Sequence, residues 1–149
     1  MDVTEFKHKI SVTVRFHEVD MLGVCNNAVY INYFEHARLQ YIKAAGLMPE
    51  GGLFSDGRIF FMVRNEINYR GQAHFDDELN VYTRISYIKN SSYGFEHLIE
   101  KSVTKEIIVD GSGIVVHVDP VSGKSALLPD FFYEKIRAFQ NDVKIIKNN

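Results

Sequence analysis

The stretch from Val12 to Leu47 constrains the fold most, because it holds strand, acid, turn and helix signals in close succession. Apolar and polar residues alternate at its start, which predicts a first β-strand over Phe6–Val19. The alternation fails at Asp20. Nothing breaks a helix between Ala28 and Ala45, so a long helix is predicted there. The residues between acid and helix are typical of turns and helix caps: Gly23, Asn26 and Asn27.

This order of elements places a carboxylate a few residues before a helix N-terminus. The first N–H groups of a helix have no intrahelical partner, and the positive end of the helix dipole attracts negative charge. A carboxylate beside an anion-attracting position suits acyl-transfer chemistry. One part attacks the carbonyl or activates water, while the other stabilises the oxyanion.

The composition indicates one ordinary globular domain spanning residues 1–149. Hydrophobic residues make up 46% and charged residues 24% of the 149 residues, as in a typical globular protein. The net charge of -2 argues against sequence-independent binding to nucleic acid. A single cysteine excludes an internal disulfide and fits a reducing compartment. No run is long enough to span a bilayer, so a cytoplasmic protein without membrane association is expected.

The rest of the chain is predicted to be mainly strands. Met48–Gly57 is predicted to be a loop, with one helical turn as an option, and Pro129–Ile146 a second helical segment. Four further strands are predicted, joined largely by tight connections that favour an antiparallel meander: Arg58–Tyr69, Glu78–Ile88, Ser91–Ser102 and Glu106–Val118. The long helix is apolar around much of its circumference, so a curved sheet is expected to wrap it. The predicted fold class is therefore α+β, with a five-stranded antiparallel sheet and one long helix.

Over nearly its whole length the chain resembles the hotdog-fold acyl-CoA thioesterases of the 4-hydroxybenzoyl-CoA thioesterase type. The resemblance is carried by the motif V-R-F-x-E-V-D-x-x-G-x-x-N-N-A-V-Y-x-N-Y-F-E-x-A-R and the A-A-G-L that follows it. It implies a curved antiparallel sheet wrapped around a long central helix. It also implies a homo-oligomer, at least a dimer and expected to be a homotetramer, with active sites between subunits.

The same resemblance implies catalytic roles for Asp20 and Asn27. Asp20 would be the catalytic carboxylate, and the backbone N–H near Asn27 would polarise the thioester carbonyl. Many relatives have a histidine at the position of Val24 or of Asn27, and this chain has neither. A mechanism that uses only an aspartate and a backbone donor is therefore preferred. On local sequence alone, Asp20 also fits the role of a helix cap or a turn residue.

Substrate contacts are expected for eight further residues, each with an ordinary structural alternative. Asn26 also fits a cap, and the two tyrosines also fit the core. The strand residues are expected to face the acyl site, and the two serines to contact pantetheine or the nucleotide unless they only form a turn. The eight are Asn26, Tyr30, Tyr33, Met62, Val63, Arg64, Ser91 and Ser92.

No cofactor and no metal are expected beyond the coenzyme A of the substrate, since the six histidines show no metal-ligand spacing. The function predicted is hydrolysis of a small-molecule acyl-CoA to a free acid and coenzyme A. Alternatives are a thioesterase acting on acyl carrier protein, a hotdog dehydratase and a non-catalytic acyl-CoA binding module. The missing loop histidine counts against the dehydratase, and Asp20 counts against a pure binder. The acyl group is left open.

Overall fold

The computed structural model describes residues 1–52 and 55–147. Two short 3₁₀ helices, Val3–Glu5 and Phe16–Glu18, precede the long helix. The helices are α1 (Val29–Ala44) and α2 (Asp130–Phe139). The strands are β1 (His8–Thr13), β2 (Ile59–Tyr69), β3 (Glu78–Ile88), β4 (Ser92–Lys101), β5 (Ile107–Val118) and β6 (Lys144–Ile145).

The predicted long helix and four later strands are confirmed to within about one residue at each end. The hairpin connections are also as predicted, since Lys89 N donates to Ser92 O and Lys101 N donates to Glu106 O. The predicted loop Met48–Gly57 contains neither helix nor strand in its described part. Its positions 53 and 54 lie outside the described residues.

The prediction that the first strand continues to Val19 is wrong. Strand β1 ends at Thr13, and a 3₁₀ helix over Phe16–Glu18 follows. The Glu18 carboxylate accepts a hydrogen bond from Arg15 N at 2.8 Å, so a local side-chain contact replaces sheet pairing, as in a capping box. The alternation is interrupted there, because Phe16, which it would place inside, is 80% exposed.

The second helical segment is also shorter than predicted, because α2 ends at Phe139. The next residue, Gln140, turns its side chain to the sheet, where Oε1 accepts from Ile85 N at 3.0 Å and Nε2 donates to Ile85 O at 2.6 Å. The chain then pairs in parallel with the end of β3 as β6. The sheet therefore has six strands rather than the predicted five.

The strand order of the sheet is β1-β3-β4-β5-β2, with β6 beside β3. Strands β1 and β3 pair antiparallel over six residues, from His8↔Thr83 to Thr13↔Glu78. The chain divides into two compact units, the first Met1–Tyr41, Glu66–Arg84 and Glu96–Ser112, the second Ile42–Asn65, Ile85–Phe95 and Gly113–Asn149. The single domain expected from the sequence stays a prediction.

In the first unit, α1 packs its apolar face on the sheet. The buried cluster joins helix residues to strand residues: Tyr30, Tyr33, Phe34 and Ala37 with Leu79, Val81, Ile99, Ile108 and Val109. In the second unit, α2 packs Phe132 against Tyr93, with ring centroids 4.8 Å apart. Within the described residues, no helix has the length and apolar character needed to cross a bilayer.

Candidate functional site

The segment between β1 and α1 forms a small hydrogen-bonded hairpin. Asp20 N donates to Val24 O, and Gly23 N donates to Asp20 O, each at 3.0 Å. Val19 and Cys25 form an antiparallel bridge. Gly23 has a φ of +77°, a left-handed conformation that closes a three-residue hairpin loop with little strain for glycine.

The second leg of this hairpin is also held from its other side. Cys25 N donates to Ala73 O at 2.8 Å, and Phe75 N donates to Gly23 O at 3.0 Å. Ala73 N in turn donates to the Tyr30 hydroxyl at 3.1 Å. The hairpin and the first turn of α1 are therefore fastened to the same segment of chain, which gives the loop a defined geometry.

Asp20 lies at the tip of the hairpin with its carboxylate exposed. Its Oδ1 accepts a hydrogen bond from Leu22 N at 2.8 Å, which shapes the turn. Among residues 1–52 and 55–147, the carboxylate has no cationic partner. The second carboxylate oxygen can therefore act on a substrate or a water molecule.

The start of α1 leaves one backbone donor unoccupied. Asn26 caps the helix, since its Oδ1 accepts from Ala28 N at 3.1 Å and its carbonyl accepts from Val29 N at 2.9 Å. The Asn27 carbonyl accepts from the Tyr69 hydroxyl at 3.2 Å. The Asn27 N–H donates to no group in the described part of the chain. Asn27 is exposed, so this donor is open to a ligand.

Glu18 is a site residue that the sequence interpretation missed. Its carboxylate, 6% exposed, accepts from Arg15 N and from the Tyr33 hydroxyl at Oε1, and from the Arg15 guanidinium at Oε2. Burial would raise the pKa of Glu18, but these hydrogen bonds outweigh it and hold the pKa below its usual value. The three-residue spacing from Arg15 was the signal in the sequence, since it is the spacing of a one-turn contact.

Tyr30 and Tyr33, predicted to contact substrate, both lie in the core of the first unit. Burial raises the pKa of Tyr30 to about 12 and also raises the pKa of Tyr33, so both hydroxyls are neutral donors or acceptors. Tyr33 donates to Glu18 at 3.0 Å. Burial likewise raises the pKa of the Cys25 thiol, which argues against a nucleophilic thiolate.

A pocket of about 780 Å³ opens beside this network on the exposed side of α1. Glu18 and Tyr33 lie at its wall, and Asp20 is not among the residues that line it. The lining residues are Val12, Thr13, Arg15, His17, Glu18, Val29, Asn32, Tyr33 and His36.

The other five predicted substrate contacts belong to the second unit. Val63 and Arg64 are exposed on β2, and Met62 is half-buried beside them. Ser91 and Ser92 lie in the β3–β4 hairpin, where their carbonyls accept from His117 N at 2.8 Å and from Lys89 N at 2.7 Å. These bonds account for the carbonyl of each serine, and substrate contact by these five residues stays a prediction.

The described residues contain no group of three or more His, Cys, Asp and Glu side chains placed to hold a metal ion. The first unit also contains an exposed carboxylate at Asp20 and an open backbone donor at Asn27. Together they can supply a nucleophile or base and an oxyanion donor.

Comparison with known proteins identifies the family of this chain. Residues 14–136 match the thioesterase-like superfamily. Acyl-CoA thioester hydrolase YbgC of Escherichia coli O6:H1 is 28% identical over 119 residues, covering 79% of this chain and 87% of YbgC. A thioesterase from Thermus thermophilus, crystallised with coenzyme A and Zn, is 32% identical with a TM-score of 0.79, over 92% of this chain and 96% of that one.

Acyl-acyl carrier protein thioesterase ATL3 of Arabidopsis thaliana, a chloroplastic protein, is 30% identical over 117 residues. The matched region covers 78% of this chain and 60% of ATL3. The predicted α+β hotdog fold is confirmed by the likeness to the Thermus thermophilus structure and by the family match, and thioester hydrolase is the enzyme class of the family. The chain therefore belongs to the thioesterase-like superfamily.

Proposed function

We propose that this protein hydrolyses a small-molecule acyl-CoA to the free acid and coenzyme A, with Asp20 as the catalytic carboxylate. The observation that carries the proposal is that two groups in the segment leading into α1 are left unoccupied. The Asp20 carboxylate has no cationic partner in the described chain, and the Asn27 N–H has no acceptor there. An ion pair at Asp20 would have argued for a structural role instead.

The reaction needs little more than these two groups. Water adds to the thioester carbonyl and the C–S bond breaks, which gives a carboxylic acid and a thiol. A thiol has a pKa of about 8.5, so the thiolate departs without strong protonation. The absence of a loop histidine is therefore compatible with turnover. A single oxyanion donor contributes about 3–4 kcal/mol of transition-state stabilisation, a contribution we assign to Asn27 N–H.

Asp20 can act by either of two routes. It can attack the carbonyl and form an anhydride, which water then hydrolyses, or it can accept a proton from the attacking water. Both routes need an ionised carboxylate aimed at the carbonyl carbon. We infer that the substrate lies between subunits of a dimer or tetramer and that the protein works in the cytoplasm without a cofactor.

An acyl carrier protein as the carrier of the thioester is the second candidate. It is favoured by the relationship to ATL3, whose name records that activity. The acyl chain and the pantetheine arm are common to both substrates, so the same Asp20 chemistry would serve. The difference lies in whether a nucleotide or a protein surface is bound outside the active site.

Asp20→Asn tests the catalytic proposal. Asparagine keeps an Oδ1 that can accept from Leu22 N, so the turn should persist while the charge is lost. We expect kcat to fall at least about 10²-fold on aryl, short-chain and long-chain acyl-CoAs, measured by release of free thiol. Turnover close to that of the unmodified protein would refute the role of Asp20.

Asp119→Asn is the matched control for this substitution. Asp119 occupies a similar turn, where its Oδ1 accepts from Val121 N at 2.8 Å and its N–H donates to Lys124 O at 2.8 Å. We expect no change in kcat from this variant.

A separate assay identifies the carrier. The same acyl group is presented on coenzyme A and on acyl carrier protein, and the ratio of the two kcat/KM values decides between them.

A further inference from the structure

We propose that Glu18 is a positioning residue that holds Asp20 and the Asn27 N–H in register for catalysis. Glu18 touches neither the substrate carbonyl nor water in the reaction proposed above. Its role is to join the two legs of the hairpin to α1 through one buried carboxylate. This inference rests on the proposed function of Asp20.

The side chain of Glu18 connects the end of β1 to the helix. Oε1 accepts from Arg15 N at 2.8 Å and from the Tyr33 hydroxyl at 3.0 Å. Tyr33 is 5% exposed and lies one turn into α1. Because the hydroxyl of Tyr33 stays neutral, it remains a donor to the carboxylate across the physiological pH range.

The backbone of the same residue connects the two legs of the hairpin. Glu18 O accepts from Asn26 N at 2.9 Å. Asn26 is the helix cap and immediately precedes Asn27, while Asp20 lies two residues after Glu18. The nucleophile and the oxyanion donor are therefore each within two residues of a bond made by Glu18.

A buried carboxylate is a costly way to fill space, since an uncompensated buried charge is strongly destabilising. An apolar residue would pack as well but would leave Arg15 N and the Tyr33 hydroxyl without an acceptor. Only a carboxylate accepts at both oxygens from three donors. The salt bridge to the Arg15 guanidinium contributes little, because that side chain is 68% exposed. The Tyr33 bond is thus the contact that fixes the geometry.

Tyr33→Phe is the main test, because it removes one hydroxyl and leaves the packing of the ring intact. A displacement of about 1 Å in catalytic geometry can cost ~10²-fold in rate. For this smaller disturbance we expect kcat to fall about tenfold, with KM for the acyl-CoA changed less than twofold. Glu18→Gln keeps Oε1 as an acceptor for Arg15 N and the Tyr33 hydroxyl and alters only the exposed contact with the Arg15 guanidinium, so kcat should fall less than in Tyr33→Phe.

The chain provides a matched control in the buried pair of Tyr82 and Glu100. The Tyr82 hydroxyl donates to Glu100 Oε1 at 2.7 Å, and these residues are 8% and 4% exposed. Tyr82→Phe should lower Tm by an amount similar to Tyr33→Phe while leaving kcat unchanged. If Tyr33→Phe lowers Tm but leaves kcat unchanged, Glu18 has only a structural role and the inference is overturned.

Hydrogen exchange gives a second readout that does not need turnover. We expect faster exchange at Asp20 N and Asn26 N in Tyr33→Phe, and no change there in Tyr82→Phe. Unchanged exchange at both amides in Tyr33→Phe would contradict the inference, whatever the result with Glu18→Gln. Failure of the Asp20 assignment is distinguishable, because Asp20→Asn would then retain turnover while the exchange result stands.

Discussion

At the scale of single residues, the peptide N–H of Asn27 is the group whose role follows from backbone geometry rather than from side-chain chemistry. The cap made by Asn26 satisfies Ala28 N and Val29 N. The N–H of Asn27, between cap and helix, has no acceptor in the described part of the chain. Its strength as a donor comes from the aligned dipoles of the helix behind it.

Asn27→Pro removes this N–H, because proline has none, while its fixed φ of about −65° is the one favoured at the second position of a turn. We expect kcat to fall by about 10²–10³-fold from loss of one oxyanion donor. Asn27→Ala keeps the N–H and should retain most of the activity. Equal losses in the two variants, measured by thiol release, would show that the side chain matters and not the peptide.

His97 leads to a prediction about pH. It is fully buried, stacks on Phe34 with ring centroids 4.3 Å apart, and has Nδ1 3.0 Å from the Thr83 hydroxyl. Burial, with a smaller effect of Arg38, lowers the pKa of His97 from 6.5 to about 3. The unfolded chain therefore binds a proton between these values and the folded chain does not.

The free energy of unfolding should accordingly fall as the pH drops from about 6.5 towards 3, and this penalty is absent above 6.5, where His97 is neutral in both states. Denaturant midpoints measured at several pH values in this window test it. His97→Gln, which can still bond Thr83, should reduce the slope, whereas His36→Gln, at a histidine outside the core, should leave it unchanged. A slope that is the same in all three proteins would contradict the assignment.

At the scale of elements, the contact of α1 with the sheet depends on small residues in β5. An added Cβ at Gly111 would lie 2.5 Å from Phe34 Cε2 and 2.8 Å from the Glu66 carbonyl oxygen. The second contact is with backbone, which cannot move aside without disturbing β2. The helix can approach the sheet here only because position 111 has no side chain.

Gly111→Ala should therefore destabilise the fold by about 1–3 kcal/mol through overpacking. Denaturant titration followed by circular dichroism measures the change. Ser112→Ala, at the adjacent half-buried position, is the control and should stay within about 0.5 kcal/mol of the parent protein. Equal stability of both variants would mean that Phe34 has room to move and that α1 does not depend on Gly111.

At the scale of the whole molecule, β2 is an edge strand of the sheet with large apolar side chains exposed along it. Phe61 is 55% exposed and Val63 is 59% exposed. Exposed apolar edges favour pairing with another chain. We therefore expect a homo-oligomer in solution, with a mass two or four times 17.1 kDa by sedimentation velocity.

Phe61→Lys should weaken this assembly, because a charge then lies where an apolar side chain is expected to be buried. The expected result is a shift towards monomer together with a loss of turnover, since the proposed site is completed by the partner. Val121→Lys, at a turn residue that is 94% exposed, should change neither. A monomeric parent protein would contradict the expectation outright.

The sequence by itself determined the elements that depend on local signals. An unbroken helical run gave α1 its limits, and the tight connections between strands placed β2 to β5 within about one residue. Asp20 and the cap at Asn26 were also predictable, because turn and cap preferences act over about three or four residues. The motif around Asp20 was enough to predict the family.

Features that depend on contacts between distant residues were decided only by the tertiary structure. The first strand stops early because Glu18 bonds Arg15 and Tyr33, and α2 stops early because Gln140 bonds Ile85 across 55 residues. No pattern of hydrophobicity encodes such contacts, since they depend on which side chains meet after folding. The buried carboxylate of Glu18 became visible for the same reason: Arg15 is near it in the chain, but its Tyr33 donor is brought to it by the packing of α1.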